Sequence, residues 1–523
     1  MELHQAPEEE KPCDTFLIDT RGHFLYISSQ KKGLLIALDY SSIGWAPSLS
    51  TRHTAIFLQG IRMKALSANV VICGAGIAGV SAAYHLAVKQ GAKEVLLVDE
   101  RPPLTLTSDK STEAYRNWWP GPDTAMVRFM NRSIDLLEEL AFESDNYFHM
   151  NRRGYVFLTA DQDHIPVMER SAVETSRLGA GPLRYHYGRC SDPPYPPSIP
   201  HGFDPQLTGA DLVLDTALIE KHYPFISEQA IAVLHPRRCG WLSAQQLGMY
   251  LLEEAKAHGV QFLGGRVTDA TVRGGQIETL HMDTDTGPLQ ISTRNFIIAA
   301  GPLLKQAGAM VGIDLPVFNE LHGKVAFNDT LGIVPRHAPL MIWNDPITLP
   351  WTEEEREELA ASEETRWLLG EFPGGVHFRP EGGPGSHTLL VLWTYHVEVQ
   401  EPVWPPTFQP EYAEVVIRGL AQMIPGLSVY LSKMSRPVVD GGYYCKTQEN
   451  RPLIGPLPVK GAYVIGALSG FGIMAGMAAG ELLASHVTGG ELPDYAPAFL
   501  LSRYKDPDYQ KLLEHWDATS GQL

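Results

Sequence analysis

The run Asn69-Val-Val-Ile-Cys-Gly-Ala-Gly-Ile-Ala-Gly-Val-Ser-Ala-Ala-Tyr-His-Leu constrains this chain more than any other. The apolar stretch Val70 to Cys73 predicts a buried strand, and Gly74, Gly76 and Gly79 follow it directly in a GxGxxG spacing. The first glycine permits a tight turn, the second lets backbone approach a pyrophosphate, and the third lets helix and strand pack closely. The helix that starts here would turn its unpaired N–H groups and positive dipole end toward phosphates. Val95-Leu-Leu-Val98 reads as a second buried strand, with Asp99 at its end placed to take the ribose hydroxyls of an adenosine. Strand, glycines, helix, second strand and terminal acid together predict a dinucleotide-binding α/β unit.

At 523 residues the chain can bury a large core and form two domains. A net charge of -18 argues against nucleic acid and against anionic membrane surfaces as partners, because no basic surface is offered. Cys13, Cys73, Cys190, Cys239 and Cys445 are scattered without a CxxC pair. Neither a zinc site nor a disulfide framework is expected, which suits a reducing, cytoplasmic setting. No run of about eighteen apolar residues occurs, so no membrane span is expected. The acidic run Glu8 to Glu10 does not fit a secretory signal. Residues 1–62 carry apolar patches such as Gly33-Leu-Leu-Ile-Ala-Leu38 without a clear period and read as a poorly ordered extension.

Further along, the polar and aromatic loop Ser108 to Pro122 gives way to a helix expected over 124–140. The Pro-rich stretch Pro193 to Pro200 must be loop. Ser243 is an N-cap for a helix that ends at Gly259. Val260 to Leu263 and Gly265 to Asp269 follow as strand material, and Asn295 to Gly301 is a buried strand ending in Ala-Gly. From about 316 to 434 the pattern changes. Phe327 to Trp343 and Leu389 to Val399 look like strands of a large sheet. Between them, in an insertion over 335–388 that would suit an interface or a lid, an acidic helix begins at Thr352 as a solvated face. Ala462 to Gly480 reads as a strand, a Gly-rich turn and a small-residue helix.

In this order the landmarks resemble the D-amino-acid-oxidase superfamily of flavoproteins, whose members include glycine oxidase, sarcosine oxidase and dimethylglycine dehydrogenase. The resemblance runs from about Ala68 to Tyr504. It rests on the GxGxxG unit, the Ala300-Gly301 strand end, the helix over 243–258 and the Leu468-Ser-Gly-Phe-Gly472 turn. It implies an α/β fold in which a Rossmann-like FAD-binding domain (63–150, 236–315 and 435–515) is interleaved with an α+β substrate domain (151–235 and 316–434) built on a large mixed sheet. It also implies FAD in an extended pose. The expected contacts are Gly74, Gly76, Ile77, Ala78, Gly79, Asp99, Glu100, Val267, Ala300, Gly301, Ser469, Gly470, Phe471, Gly472 and Ile473, with the last helix starting against the flavin ring.

By the same resemblance, Arg116 matches an arginine that binds the substrate carboxylate, and a guanidinium fork suits that role. Tyr444 falls at an active-site tyrosine, His396 matches a histidine near the substrate, and His377 stands where the family often has tyrosine. Trp118 and Trp119 would wall the pocket. The cysteine that links to flavin in sarcosine oxidase aligns with Gly442, so non-covalent FAD is expected. Two family lysines, one for the carboxylate and one for oxygen activation, fall at Met474 and near Leu392. The implied reaction is hydride transfer from the carbon beside an amine to flavin N5, with oxygen or another electron acceptor, acting on an amino acid or N-substituted amine. A 2-hydroxy-acid dehydrogenase of the same fold and a flavin-binding assembly or scaffold protein are the alternatives. No metal is expected.

Overall fold

The computed structural model describes residues 15–18, 24–27, 64–119, 121–199, 201–432, 436–514 and 516. Two units separate at residues 62 and 63. In the first, Thr15–Ile18 pairs antiparallel with Phe24–Ile27. The expectation of a poorly ordered extension otherwise falls outside the described residues.

In the second unit the strand Lys64–Cys73 lies in the middle of a parallel sheet, flanked by Val95–Asp99 and by the long strand Gly287–Ile298. Val71 and Ile72 are fully buried because helices and a meander cover both faces, which is why this strand reads as an unbroken apolar run. Ala462–Gly466 pairs parallel with Gly287–Ile298 on its far side. Cys73, Asp99, Ile298 and Gly466 therefore end at one edge of the sheet, where open parallel sheets bind ligands. The strand ending in Ala-Gly is longer than the sequence suggested. Its N-terminal half joins a meander with Arg266–Arg273 and Gln276–Thr284. Ser243 caps Ala244–Ala257 through the Gln246 N–H, as expected.

Nine strands form a second, mostly antiparallel sheet. In order they are Val438–Lys446, Phe318–Asn328, Thr388–Leu392, Val376–Pro380, Leu340–Trp343, Tyr155–Thr159, Ala232–Pro236, Ala210–Val213 and Leu183–His186. The helix Tyr412–Met423 packs Val415, Val416 and Leu420 on one face. Three expectations are corrected here. Phe327 to Trp343 is not one strand, because Gly332, Pro335 and Pro339 interrupt it. The strand expected to reach Val399 stops at Leu392. Val438–Lys446, expected in the nucleotide-binding segment, forms nine residue pairs with Phe318–Asn328 and so belongs to the second sheet. The 335–388 segment contributes Leu340–Trp343 and Val376–Pro380 to that sheet. Between these strands the acidic helix Glu353–Ala361 is an excursion, started by the Thr352–Glu355 capping box and tied back through Glu355 to Arg418.

The C-terminal helix Gly472–Thr488 lies directly on the first helix, Ile77–Tyr84. A Cβ on Gly480 would overlap Ser81, and one on Gly476 would stand 3.0 Å from Ile77 Cγ1. Gly480→Val should therefore separate the two helices and lower both the melting temperature and the cofactor content of the purified protein. Differential scanning fluorimetry with an absorbance spectrum checks both.

Candidate active site

A cleft of about 370 Å³ opens along the edge where the parallel strands end. Gly74 has φ +113°, and a Cβ there or on Gly79 would collide with backbone: with Ala299 in the first case and with the Gly74 carbonyl in the second. The turn is therefore drawn against strand and helix, and Gly74, Gly76, Ile77 and Ala78 line the cleft. Asp99 accepts from the N–H groups of Ala75 (2.7 Å) and Arg101 (2.9 Å), tying the turn to the second strand. Each carboxylate oxygen keeps a further lone pair for the ribose of a ligand in the cleft. Burial raises the Asp99 pKa, with those two N–H groups opposing. Ser108, from the polar loop, accepts from the Ile77 N–H at 3.0 Å at the start of the helix.

Of the expected cofactor contacts, Gly74, Gly76, Ile77, Ala78, Asp99, Glu100, Val267, Ala300, Gly301, Ser469, Gly470, Gly472 and Ile473 line this cleft. Two do not. Gly79 lies behind the turn and serves the close packing of helix and strand. Phe471 turns into a second, smaller cavity. The long cleft, the bare backbone at Gly74 and the start of Gly472–Thr488 fit an extended dinucleotide. Cys73 and Cys445 also line the cleft, and burial, the larger cause for each, raises both thiols to about 12. Neither is a ready nucleophile for a covalent flavin link.

The smaller cavity, about 50 Å³, shares Tyr444, Ser469 and Gly470 with the cleft. Arg116, His377 and Tyr444, proposed from sequence for the substrate, all line it. The strand Ala114–Arg116 places Arg116 opposite Cys239 on a short antiparallel partner. Its guanidinium lies 4.9 Å from the Trp119 ring and 6.0 Å from that of Tyr155. Trp118 and Trp119 do not wall the cavity. Trp119 sits behind it, between Arg116 and the edge of Phe471. His377 pairs Nδ1 with the Gly375 carbonyl (2.9 Å), which keeps the proton on that nitrogen. Burial pulls its pKa down to about 4, so the ring is neutral at physiological pH.

His396 is not at the site. Its side chain is exposed and lies 3.1 Å from Glu398. The strand ends at Leu392, Thr394 still reaches the cavity, and two residues later the chain has left the wall. Beside His377 the cavity has a second histidine, His322, which sequence reasoning missed. It stacks on Tyr444 with ring centroids 4.0 Å apart, meets Thr394 Oγ1 at 3.0 Å and Glu320 at 3.2 Å, and Glu320 holds Lys446. The period of two in Glu320-Leu-His322-Gly-Lys324 was the available signal. Thr112, Tyr155 and Asn450 also line the cavity without having been expected. Met474 and Leu392 line it where the family's lysines were sought, so Arg116 is the one charged residue among the described lining.

Burial of neutral histidines gives a pH signature. His377 and His85 both have pKa values lowered to about 4, chiefly by burial. The unfolded chain protonates each near pH 6.5. Stability is therefore full above about pH 6.5 and is lost as pH falls from there toward 4, by up to about 3 kcal/mol per histidine. Melting temperatures across pH 7.5 to 4.5 should decline, and His377→Asn should flatten the slope.

The family model for FAD dependent oxidoreductases (DAO) matches residues 69–486. Mitochondrial dimethylglycine dehydrogenase from Rattus norvegicus is 21% identical over 433 residues, covering 82% of this chain and 43% of that protein. The chain thus spans less than half the length of this curated relative. The crystal structure of L-proline dehydrogenase from P. horikoshii is similar with a TM-score of 0.64 at 19% identity, over 84% of this chain and 98% of that one. Glycine oxidase from Geobacillus kaustophilus gives a TM-score of 0.62 at 16% identity, over 84% and 99%. Among the described residues no helix is long and apolar enough to cross a membrane.

Proposed function

The chain belongs to the family of FAD-dependent oxidoreductases, and from that premise we propose that it oxidises the carbon–nitrogen bond of a small amino acid or N-substituted amino acid. One observation carries the proposal. A small cavity that shares Tyr444, Ser469 and Gly470 with the cofactor cleft has, among its described lining residues, one charged side chain, the buried Arg116. Bound FAD supplies the hydride acceptor. Arg116 brings to the cavity a guanidinium, whose planar donor geometry suits a carboxylate. The rest of the wall is neutral: His377 carries no charge near pH 7, and Tyr444, deep in the cavity, has its pKa raised by burial. No described aspartate or glutamate lines the cavity to hold an ammonium. The amine is therefore favoured in its neutral form, whose lone pair assists departure of hydride from the adjacent carbon. The cavity volume admits a few water-sized groups, which matches a compact substrate.

Anaerobic titration of the yellow protein with a panel of simple, N-methyl and cyclic amino acids should bleach the flavin spectrum with members of that panel. Bleaching by 2-hydroxy acids instead, or by nothing in either class, would overturn the reading. Because Leu392 and Met474 bring no lysine to the cavity, turnover is followed with an artificial electron acceptor as well as dioxygen. Arg116→Ala should raise KM or substrate Kd by about two orders of magnitude, the loss of a charge-assisted bidentate contact. An unchanged value would remove Arg116 from carboxylate binding.

A further inference from the structure

Asn450 sits in the cavity wall with a side-chain amide that no described residue engages. The residue is 2% exposed, and neither its amide oxygen nor its amide nitrogen meets a hydrogen-bond partner among the described residues. It lines the same small cavity as Arg116, Tyr155 and Tyr444. A buried amide left unmatched is costly, and one in the wall of a cavity points to a ligand.

The turn that presents it is firmly built. The Thr447 carbonyl accepts from the Asn450 N–H at 3.1 Å, and Thr447 Oγ1 accepts from the Arg451 N–H at 3.0 Å. The adjacent Glu449 is fully enclosed, its Oε1 accepting from Arg503 Nε (2.9 Å) and Nη2 (2.7 Å) and from the hydroxyls of Tyr504 and Tyr509. Asn450 has φ +57°, a left-handed conformation that asparagine tolerates. That conformation accounts for the backbone, which glycine would serve equally well, and leaves the amide unexplained.

We propose that Asn450 contacts the substrate, its side-chain oxygen accepting an N–H of the substrate amine. This rests on the amino-acid reading above. Arg116 takes the carboxylate, which leaves the amine as the polar group of a compact amino acid still to be matched. An amide oxygen accepts the N–H without bringing a negative charge, so it holds the amine without stabilising its protonated form. An aspartate at this position would do the opposite.

The test uses the FAD-loaded enzyme and two acids of the same shape. 2-Aminoisobutyrate has no hydrogen on the carbon beside its amine and cannot be oxidised there. Trimethylacetate replaces that amine by a methyl group. Binding of each is measured by calorimetry. Asn450→Gly, which keeps the left-handed backbone, should weaken 2-aminoisobutyrate about tenfold or more and leave trimethylacetate within about twofold. Asn450→Asp, a second variant that folds without needing glycine there, should bind the ammonium form and lose the rise of affinity with pH expected of the wild type. Equal binding of 2-aminoisobutyrate by wild type and the glycine variant, or equal weakening of both acids, would overturn the role of Asn450 while leaving the amino-acid reading in place. A wild type that binds neither acid and is reduced by hydroxy acids would overturn that reading and this role together.

Discussion

The contact on which the rest of the site depends is the crossing of the first strand, its glycine turn and the first helix. Any side chain on Gly79 would occupy the space of the Gly74 carbonyl, and any side chain on Gly74 would strike Ala299. Because neither exists, the helix starts at the end of the strand, with Gly76, Ile77 and Ala78 lining the cleft. Asp99 reinforces the arrangement from the neighbouring strand through Ala75. The C-terminal helix then closes on the first one through Gly476 and Gly480. That second close approach brings Ser469 to Ile473 to the cleft although they lie some four hundred positions further along the chain.

A single strand joins the smaller cavity to the cleft. Val438–Lys446 is hydrogen-bonded into the nine-stranded sheet, whereas Leu453–Pro456, a short turn later, belongs to the nucleotide-binding sheet. Tyr443 and Tyr444 both line the cleft, and Tyr444 is also a wall of the smaller cavity. The turn between the strands carries Asn450, and the buried Glu449–Arg503 pair fixes it to the C-terminal segment. A tertiary ion pair on the preceding residue thereby anchors a residue of the cavity wall.

Charge in the small cavity follows from burial. His377 stays neutral because its ring is desolvated, and burial likewise lowers the pKa of His322 although Glu320 and its hydrogen bond pull the other way. The carboxylate nearest the stacked Tyr444–His322 pair is itself held by Lys446. Arg116 is the charged group among the described lining, which is the physical basis for proposing a carboxylate-bearing substrate.

The sequence alone determined the nucleotide-binding unit. Its requirements are local: an apolar run, glycines where a Cβ cannot fit, and an acid at the end of the next strand, all within about thirty residues. The same locality made the Ser243 helix cap and the Gly-rich C-terminal turn legible. Arg116, His377 and Tyr444 were reached through resemblance, and the structure brings them together. What only the tertiary structure decided were groups whose role depends on pairing between distant segments. His396 looked equivalent to a site histidine but lies beyond the end of its strand, while His322 takes the place beside Tyr444 because Phe318–Asn328 pairs with Val438–Lys446. Tyr155 and Asn450 carry no local signal. An asparagine in a turn reads as a turn residue, and its unmatched amide becomes visible only once strands from three parts of the chain enclose it.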